Sequence, residues 1–348
     1  MEPSRAATTK ISRARSDDRP IWDIVFGIWG YPAVLVAHRL KLFALLAERP
    51  RTLDEVCAAK GLQRRPAETL LAVTTSLGLA RLENGRYSLT PLAEDYLIGT
   101  GPAYFGGFFD GMMAVYDIYS VESLCKAVET NAPQGVFGGS DDPFQASRDR
   151  AEFAASFTRW MHSISIGPAL AWPEVVDLST HRVMLDVGGG SGAHAIGALS
   201  RWPELRAVVL DIEPVCRVAT EFAARYELEA RIRTRAADFF RDAFPDADLH
   251  FYSMIFHDWP PEKCHQLARK SFASLPSGGR VVVHEMLFND DRTGPFGVAA
   301  FNVAMLLAMP GQQYSGREIG AMLRDAGFSK IEVTPTFGYW SIVTGLKP

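Results

Sequence analysis

The residues able to do chemistry cluster in the second half of the chain, and most of them follow apolar runs. The stretch 183–200 reads VMLDVGGGSGAHAIGALS: an apolar run, Asp186, three consecutive glycines (Gly188, Gly189, Gly190), Ser191, Gly192, and then a small-residue helical pattern. This is a buried strand, a tight turn and a helix start. Glycine adopts backbone angles that other residues resist, and without a Cβ it lets a ligand touch the main chain. The open N–H groups of a helix start face whatever sits there. The spacing is GGGSG and not the GxGxxG of dinucleotide sites, and a carboxylate at Asp186 suits a cation better than a pyrophosphate. Asp211 lies roughly 20 residues on, where nucleotide-binding sheets place a carboxylate for the two ribose hydroxyls. Asp238 and Phe239 put an acceptor beside an aromatic face, which suits the amino group and ring of an adenine. Each of these alone could be a helix cap or a core residue. Together, in this order, they describe an adenosyl ligand.

The elements that must position these residues alternate. After the glycine turn come a strand at 206–210 ending at Asp211, a helix at 215–226, and a short strand at 232–235 leading to Asp238 and Phe239. A strand at 249–256 then ends at His257, a helix spans 261–275, and a strand at 279–284 ends at Glu285. Such alternation means an α/β architecture, a parallel sheet with helices on both faces. Ligands bind such sheets at the carboxyl ends of the strands. Asp186 with its glycines, Asp211, Asp238, His257 and Glu285 all fall at or beside those ends.

The first half reads differently. Residues 1 to about 19 are polar and mixed in charge, which predicts a flexible tail. From Ile21 to Ala47 the pattern is helical and very apolar, and Gly27, Gly30 and Pro32 predict two helices there. The first is apolar around most of its circumference and needs cover on several sides, which a second copy of the chain would supply. Thr52 with Glu55 forms a capping box for a helix at 53–60. A second helix follows at 66–77, and then a hairpin at 79–89 turning at Asn84-Gly85. Helix, helix, hairpin is a winged-helix arrangement, which raises DNA binding as a rival function. The second helix is mostly apolar or small, whereas a groove-reading helix carries polar donors along one face, so the module reads as structural. Between residues 100 and 150, GPAYFGGFFDGMMAVYDIY is dense in aromatics, glycines and methionines, as an adaptable apolar pocket wall is and equally as a linker helix packed on a core is. A loop follows at 132–143, and helix returns from Phe144 to about Ala171, carrying Phe157, Trp160, Met161 and His162.

The 348 residues allow one large domain or two ordinary ones, and 47% hydrophobic residues suffice for a sizeable core. A net charge of -4 supplies no general basic field for a nucleic acid. Four cysteines without a CxxC pair argue against a zinc ribbon or disulfide framework and suit a reducing cytoplasm. No apolar run reaches membrane-spanning length by this reading, and the N-terminus has no apolar signal core. The expectation is a cytoplasmic protein with no membrane partner.

LDVGGGSG, the acidic residue after the second strand, ADFF, FHDW and the later HE resemble class I methyltransferases that use S-adenosylmethionine. Among these the chain is most similar to the dimeric small-molecule O-methyltransferases of the caffeic acid, bacterial polyketide and hydroxyindole type, over about residues 20 to 348. The resemblance implies a Rossmann-like methyltransferase sheet behind an N-terminal winged-helix dimerisation domain. Its divisions would be a tail at 1–19, a dimerisation domain at 20–100, a helical linker and pocket region at 101–175, and a catalytic domain at 176–348. It implies a homodimer, a small-molecule methyl acceptor such as a hydroxyl of a secondary metabolite, and no nucleic acid. In that frame Gly188 and Gly190 approach the methionine part of the cofactor next to Asp186, Asp211 holds the ribose, and Asp238 and Phe239 hold the adenine. His257 matches the general base and Glu285 the carboxylate that orients it. Phe157 and Met161, with Trp160 between them, lie on the helix against the methyl acceptor, and Asn302 and Met305 lie on the far wall.

Two positions depart from the family pattern. Gln313, in GQQYSG, stands where relatives often carry a second carboxylate beside the base, and an amide cannot stabilise an imidazolium as a carboxylate does. Ser253 stands where relatives often carry a basic residue that reaches the cofactor. The mechanism expected is alignment of nucleophile, methyl and sulfur with water excluded, while His257 takes the proton of a hydroxyl near neutral pH. The alternative keeps the cofactor and moves the methyl to carbon, in an α-keto acid, an aromatic ring or an isoprenoid. His257, Asp258 and Glu285 would then orient an enolisable substrate or contribute to an iron or zinc site.

Overall fold

The apolar N-terminal stretch folds as one long helix and a short one, with the break later than expected. The computed structural model describes residues 14–101, 103–134 and 150–348. Of the expected features, the tail up to residue 13, most of the 132–143 loop and the helix start at Phe144 lie outside the described residues. Helix α1 (Arg19–Arg39) runs through Gly27, Gly30 and Pro32. The chain breaks instead at Leu40 and Lys41, where Lys41 takes φ 53 before α2 (Leu42–Glu48). Helix α1 thus tolerates the ladder bond that Pro32 forfeits and about 1 kcal/mol for each glycine. Continuity also overturns the expectation about apolar length: α1 has 21 residues and is, by length and composition, apolar enough to cross a membrane. Ile21, Trp22, Ile24, Phe26, Ile28 and Trp29 are all exposed along it.

The rest of the first unit, which ends at Glu94, follows local rules. Helix α3 (Leu53–Lys60) starts at Thr52 with a complete capping box to Glu55 and ends at Gly61 with φ 64. Helix α4 (Arg64–Ser76) leads to the hairpin of β1 (Ala80–Glu83) and β2 (Arg86–Leu89). Asn84 and Gly85, at φ 49 and φ 74, make the two-residue turn between them, as a primed hairpin turn requires. Helix α5 (Pro91–Tyr96) crosses into the second unit.

In the second unit α6 (Gly106–Ala114), α7 (Val121–Thr130) and the 21-residue α8 (Ala151–Ala171) precede the sheet. Strands β3 (Val183–Val187), β4 (Arg206–Asp211), β5 (Ile232–Ala236), β6 (Leu249–Ser253) and β7 (Arg280–Met286) pair in parallel. Of two strands not anticipated, β8 (Ser329–Phe337) and β9 (Trp340–Leu346), β9 pairs antiparallel with β7 and β8 antiparallel with β9. The seven-stranded order is β5-β4-β3-β6-β7-β9-β8, so the sheet is mixed and not purely parallel. The central strands are buried on both faces, and successive side chains enter opposite cores as the pleat demands. Met184, Val209, Phe251 and Val282 enter one core with α8, α9 (Ala193–Arg201) and α10 (Glu213–Arg225). Leu185, Leu210, Tyr252 and Val281 enter the other with α11 (Pro261–Ser274) and α13 (Gly316–Asp325); α12 (Phe296–Ala308) lies between β7 and α13 in sequence. The chain builds outward from β3 through β4 and β5, then returns to build β6 and β7 on the other side. The reversal between β3 and β6 is the switch point at which such sheets leave a crevice.

Candidate active site

At that switch point the turn after β3 takes three left-handed residues, Gly188 (φ +66), Gly190 (φ +57) and Gly192 (φ +74). At Gly189 the restriction is space: a Cβ there would lie 2.6 Å from Cγ of Asp186. Nothing lies within 4 Å of where a Cβ on Gly190 would be, so main chain is open to a ligand there. Asp186 is buried beneath the turn and its Oδ2 has no hydrogen-bond partner. Burial pushes its carboxyl up to about 7. Asp211 accepts N–H bonds from Gly190 at 2.9 Å through Oδ2 and from Ile212 at 2.7 Å through Oδ1. A carboxylate has about four lone-pair sites, so two remain for a pair of hydroxyls. Burial raises its pKa to about 6. Phe239 lies over the first glycine, its Cε1 3.5 Å from the Cβ position of Gly188. Its carbonyl accepts from Nζ of Lys270 at 2.7 Å, and Asp238 accepts the Phe240 N–H at 2.9 Å. An orphaned buried carboxylate oxygen, open main chain and a half-satisfied carboxylate at the next strand end fit a cationic adenosyl group. The Ser253 hydroxyl lies 3.0 Å from Nδ1 of His284.

His257 is not on a strand as expected, because β6 stops at Ser253. Met254 then takes φ 54, rare for a side chain with a Cβ, and the chain enters a short 3-10 turn, Phe256–Asp258. Glu285 secures that turn: its Oε1 accepts the N–H groups of Ile255 and Phe256, each at 3.1 Å. Its Oε2 stands 3.5 Å from Nδ1 of His257. The nearer group at Nδ1 is Gln313, whose Nε2 is 3.0 Å away. On the other edge of the ring Oδ1 of Asp258 is 3.3 Å from Nε2. Burial drives the imidazole down to about 4 and Glu285 up to about 8. Burial and then the neighbouring Glu285 raise Asp258.

Gln313 and the two residues after it are each held in place. The Gln313 N–H donates to Oδ1 of Asn302 at 2.8 Å, Phe288 N–H donates to the carbonyl of Tyr314 at 3.0 Å, and Ser315 caps α13 with Glu318. Gly311 closes the arrangement, for a Cβ on it would lie 2.2 Å from the carbonyl oxygen of His257. An apolar wall adjoins the base. Phe153, Phe157, Phe301 and Ala304 pack on Met305, Ala308 and Met309, with Phe301 5.7 Å from the imidazole and Trp160 edge-on to Phe157 at 5.4 Å. Met161 is half-buried on the same helix. Among the described residues no group of three or more His, Cys, Asp or Glu side chains is placed to hold a metal ion, and all four cysteines are free.

Sequence reading missed Gly311, Met254, Phe301 and the contact of His162 with Ser191. A glycine opposite a buried histidine and a strained methionine carry no sequence signal, since only the fold sets Gly311 against the turn. Phe301 was within reach, lying next to Asn302 in the pocket wall already singled out.

Comparison with known proteins agrees with this geometry. Residues 122–329 match the O-methyltransferase domain family, and residues 22–99 match the O-methyltransferase dimerisation domain. The chain is 35% identical to a 3-hydroxy-5-methyl-1-naphthoate 3-O-methyltransferase from Streptomyces sahachiroi, covering 93% of this chain and 94% of that one. It is 30% identical to the Bos taurus acetylserotonin O-methyltransferase, over 90% and 93% of the two chains. Its fold superposes on human N-acetylserotonin methyltransferase, solved in complex with S-adenosylmethionine, with a TM-score of 0.83 at 26% identity over 97% and 99% of the chains. The exposed apolar helix α1 belongs to the dimerisation domain, which supports a homodimer. This chain belongs to the S-adenosylmethionine-dependent small-molecule O-methyltransferases.

Proposed function

We propose that the protein methylates a hydroxyl on a flat aromatic or polyketide-type molecule, with His257 as the general base. The observation that carries this reading is a buried, neutral imidazole set between Gln313 and Asp258 and facing an aromatic and methionine wall. The bound cofactor supplies a methyl group made electrophilic by its sulfonium. The glycine turn, Asp211, Asp238 and Phe239 would hold the cofactor, and Asp186, when ionised, would favour its cation. Phe157, Trp160, Met161 and Met305 clamp the aromatic ring of the methyl acceptor and exclude water, so that positioning supplies much of the rate. Asn302 acts through Gln313.

A phenol of pKa about 10 attacks poorly while protonated, so its proton must leave as the new bond forms. Because burial depresses the imidazole to about 4, the ring rests neutral and can accept that proton at physiological pH. A half-turn of the Gln313 amide brings Oε1, which has no partner, onto an Nδ1–H and leaves the ring's Nε2, beside Asp258, as the accepting nitrogen. Glu285 holds the turn and lies near enough to stabilise the charged ring.

The test is mass spectrometry and NMR of products from hydroxynaphthoates, hydroxyindoles and α-keto acids with methyl-labelled cofactor. A labelled methyl ether is expected. A labelled methyl on carbon would replace this reading with the carbon-methylating one.

A further inference from the structure

His162 lies on α8, five residues beyond Phe157, outside the base and the adenosyl contacts. Its ring is buried and lies flat on Phe222, 3.7 Å between centroids at 20°. Nδ1 is 2.7 Å from Oγ of Ser191, the one hydroxyl in the glycine turn, and Nε2 is 3.5 Å from the Tyr226 hydroxyl. Ser191 is itself buried and flanked by the left-handed Gly190 and Gly192. Burial and the nearby Arg225 hold the imidazole down to about 4, so it is neutral and can only donate at one nitrogen and accept at the other. A second contact ties the same helix to the cofactor side, since a Cβ on Gly197 of α9 would lie 2.0 Å from the carbonyl oxygen of Ala169. The helix that carries Phe153 and Phe157 against Met305 is thereby fixed to the turn and to the helix that follows it.

We infer that His162 is a positioning residue for the cofactor turn, holding the Ser191 hydroxyl so that the turn keeps its binding shape and tying it to the helix at the methyl-acceptor wall. The inference rests on the reading of the glycine turn as the S-adenosylmethionine site. It requires a side chain at 162 that reaches Ser191 with a polar atom at the place of Nδ1. Packing on Phe222 alone does not suffice.

The test is calorimetry of full-length protein with S-adenosylhomocysteine. His162→Phe, which keeps the stack and loses the hydrogen bond, and Ser191→Ala should each weaken binding about tenfold, the loss of one good hydrogen bond. The double variant should be no worse than either single one. His162→Asn, which restores a polar atom near the place of Nδ1, should return to within about threefold of wild type. Should His162→Phe fail to fold, Ser191→Ala and His162→Asn still decide, by the same tenfold loss and the same rescue. Wild-type affinity in a folded His162→Phe or in Ser191→Ala, or additive losses in the double variant, would overturn the inference. Absence of binding by the wild-type protein would overturn the cofactor reading instead, and is distinguished by that control.

Discussion

Replacing Gln313 by glutamate should raise the pKa of the His257 imidazole. The Gln313 amide nitrogen is 3.0 Å from Nδ1. A carboxylate oxygen at that distance from an imidazolium gains about 5 kcal/mol at an effective dielectric of 20. Burying the new charge costs several kcal/mol, and Asp258 and Glu285 stand close enough to repel it. The net effect should match other opposite-charge pairs at short range, about 1 to 3 pKa units. That carries the imidazole from about 4 to about 5–7. The sign follows from the charged form being the one stabilised: the ring binds its proton at higher pH, so the acid limb of turnover moves to higher pH. The chain has eight histidines, so the His257 resonance is assigned by its loss in His257→Ala. NMR titration of the ring proton with S-adenosylhomocysteine bound then reads the midpoint directly. Gln313→Met should move the midpoint the other way, because it removes the amide oxygen that, turned onto Nδ1–H, favours the charged ring. A midpoint in Gln313→Glu that stays put or falls would refute the placement of Gln313 as the group controlling this base.

His257→Ala should keep cofactor affinity within about threefold and lower turnover by about a hundredfold or more, measured by calorimetry and by methyl transfer to whichever acceptor the product screen identifies. In Asp186→Asn the sign comes from a native pKa of about 7 against an unperturbed 3.8. The native carboxyl keeps a proton that the unfolded chain has lost, so the stability cost grows as pH rises from 3.8 and is complete above about 7. The amide should stabilise the cofactor-free protein by about 1–4 kcal/mol at pH 8, hardly at all at pH 4, and weaken cofactor binding, as denaturant unfolding and calorimetry would show. At Gly190 space is open but φ is +57, so Gly190→Ala should cost about 1 kcal/mol of stability and far more in cofactor affinity. Trp29→Glu, on the exposed apolar face of α1, should shift the protein toward monomer in light scattering.

How much could be read without coordinates depends on how local each signal is. The capping box of Thr52 with Glu55, the Asn84-Gly85 turn and the glycine turn behind an apolar run are decided within a few residues, and the alternation of strand and helix from Val183 to Glu285 is a property of successive segments. These were enough to place the acidic residues along one rim of an α/β sheet. The misjudged elements turned on competition between local and distant terms. Pro32 signals a break, yet α1 continues to Arg39 and the break falls at the left-handed Lys41. The edge strand β8 carries exposed and half-buried residues in mixed order, and β9 is buried along most of its length; they become strands because β9 pairs with β7 and β8 with β9. The site shows the same division. Residue type and order point to an adenosyl ligand and a histidine base, because carboxylates, glycines and imidazole each do only a few kinds of chemistry. Which group touches which was left to tertiary packing. Gln313 is 56 residues from His257 and Ser191 is 29 from His162. Only the sheet and the helices packed on it bring these pairs within 3 Å, and with them the ionisation of the buried groups.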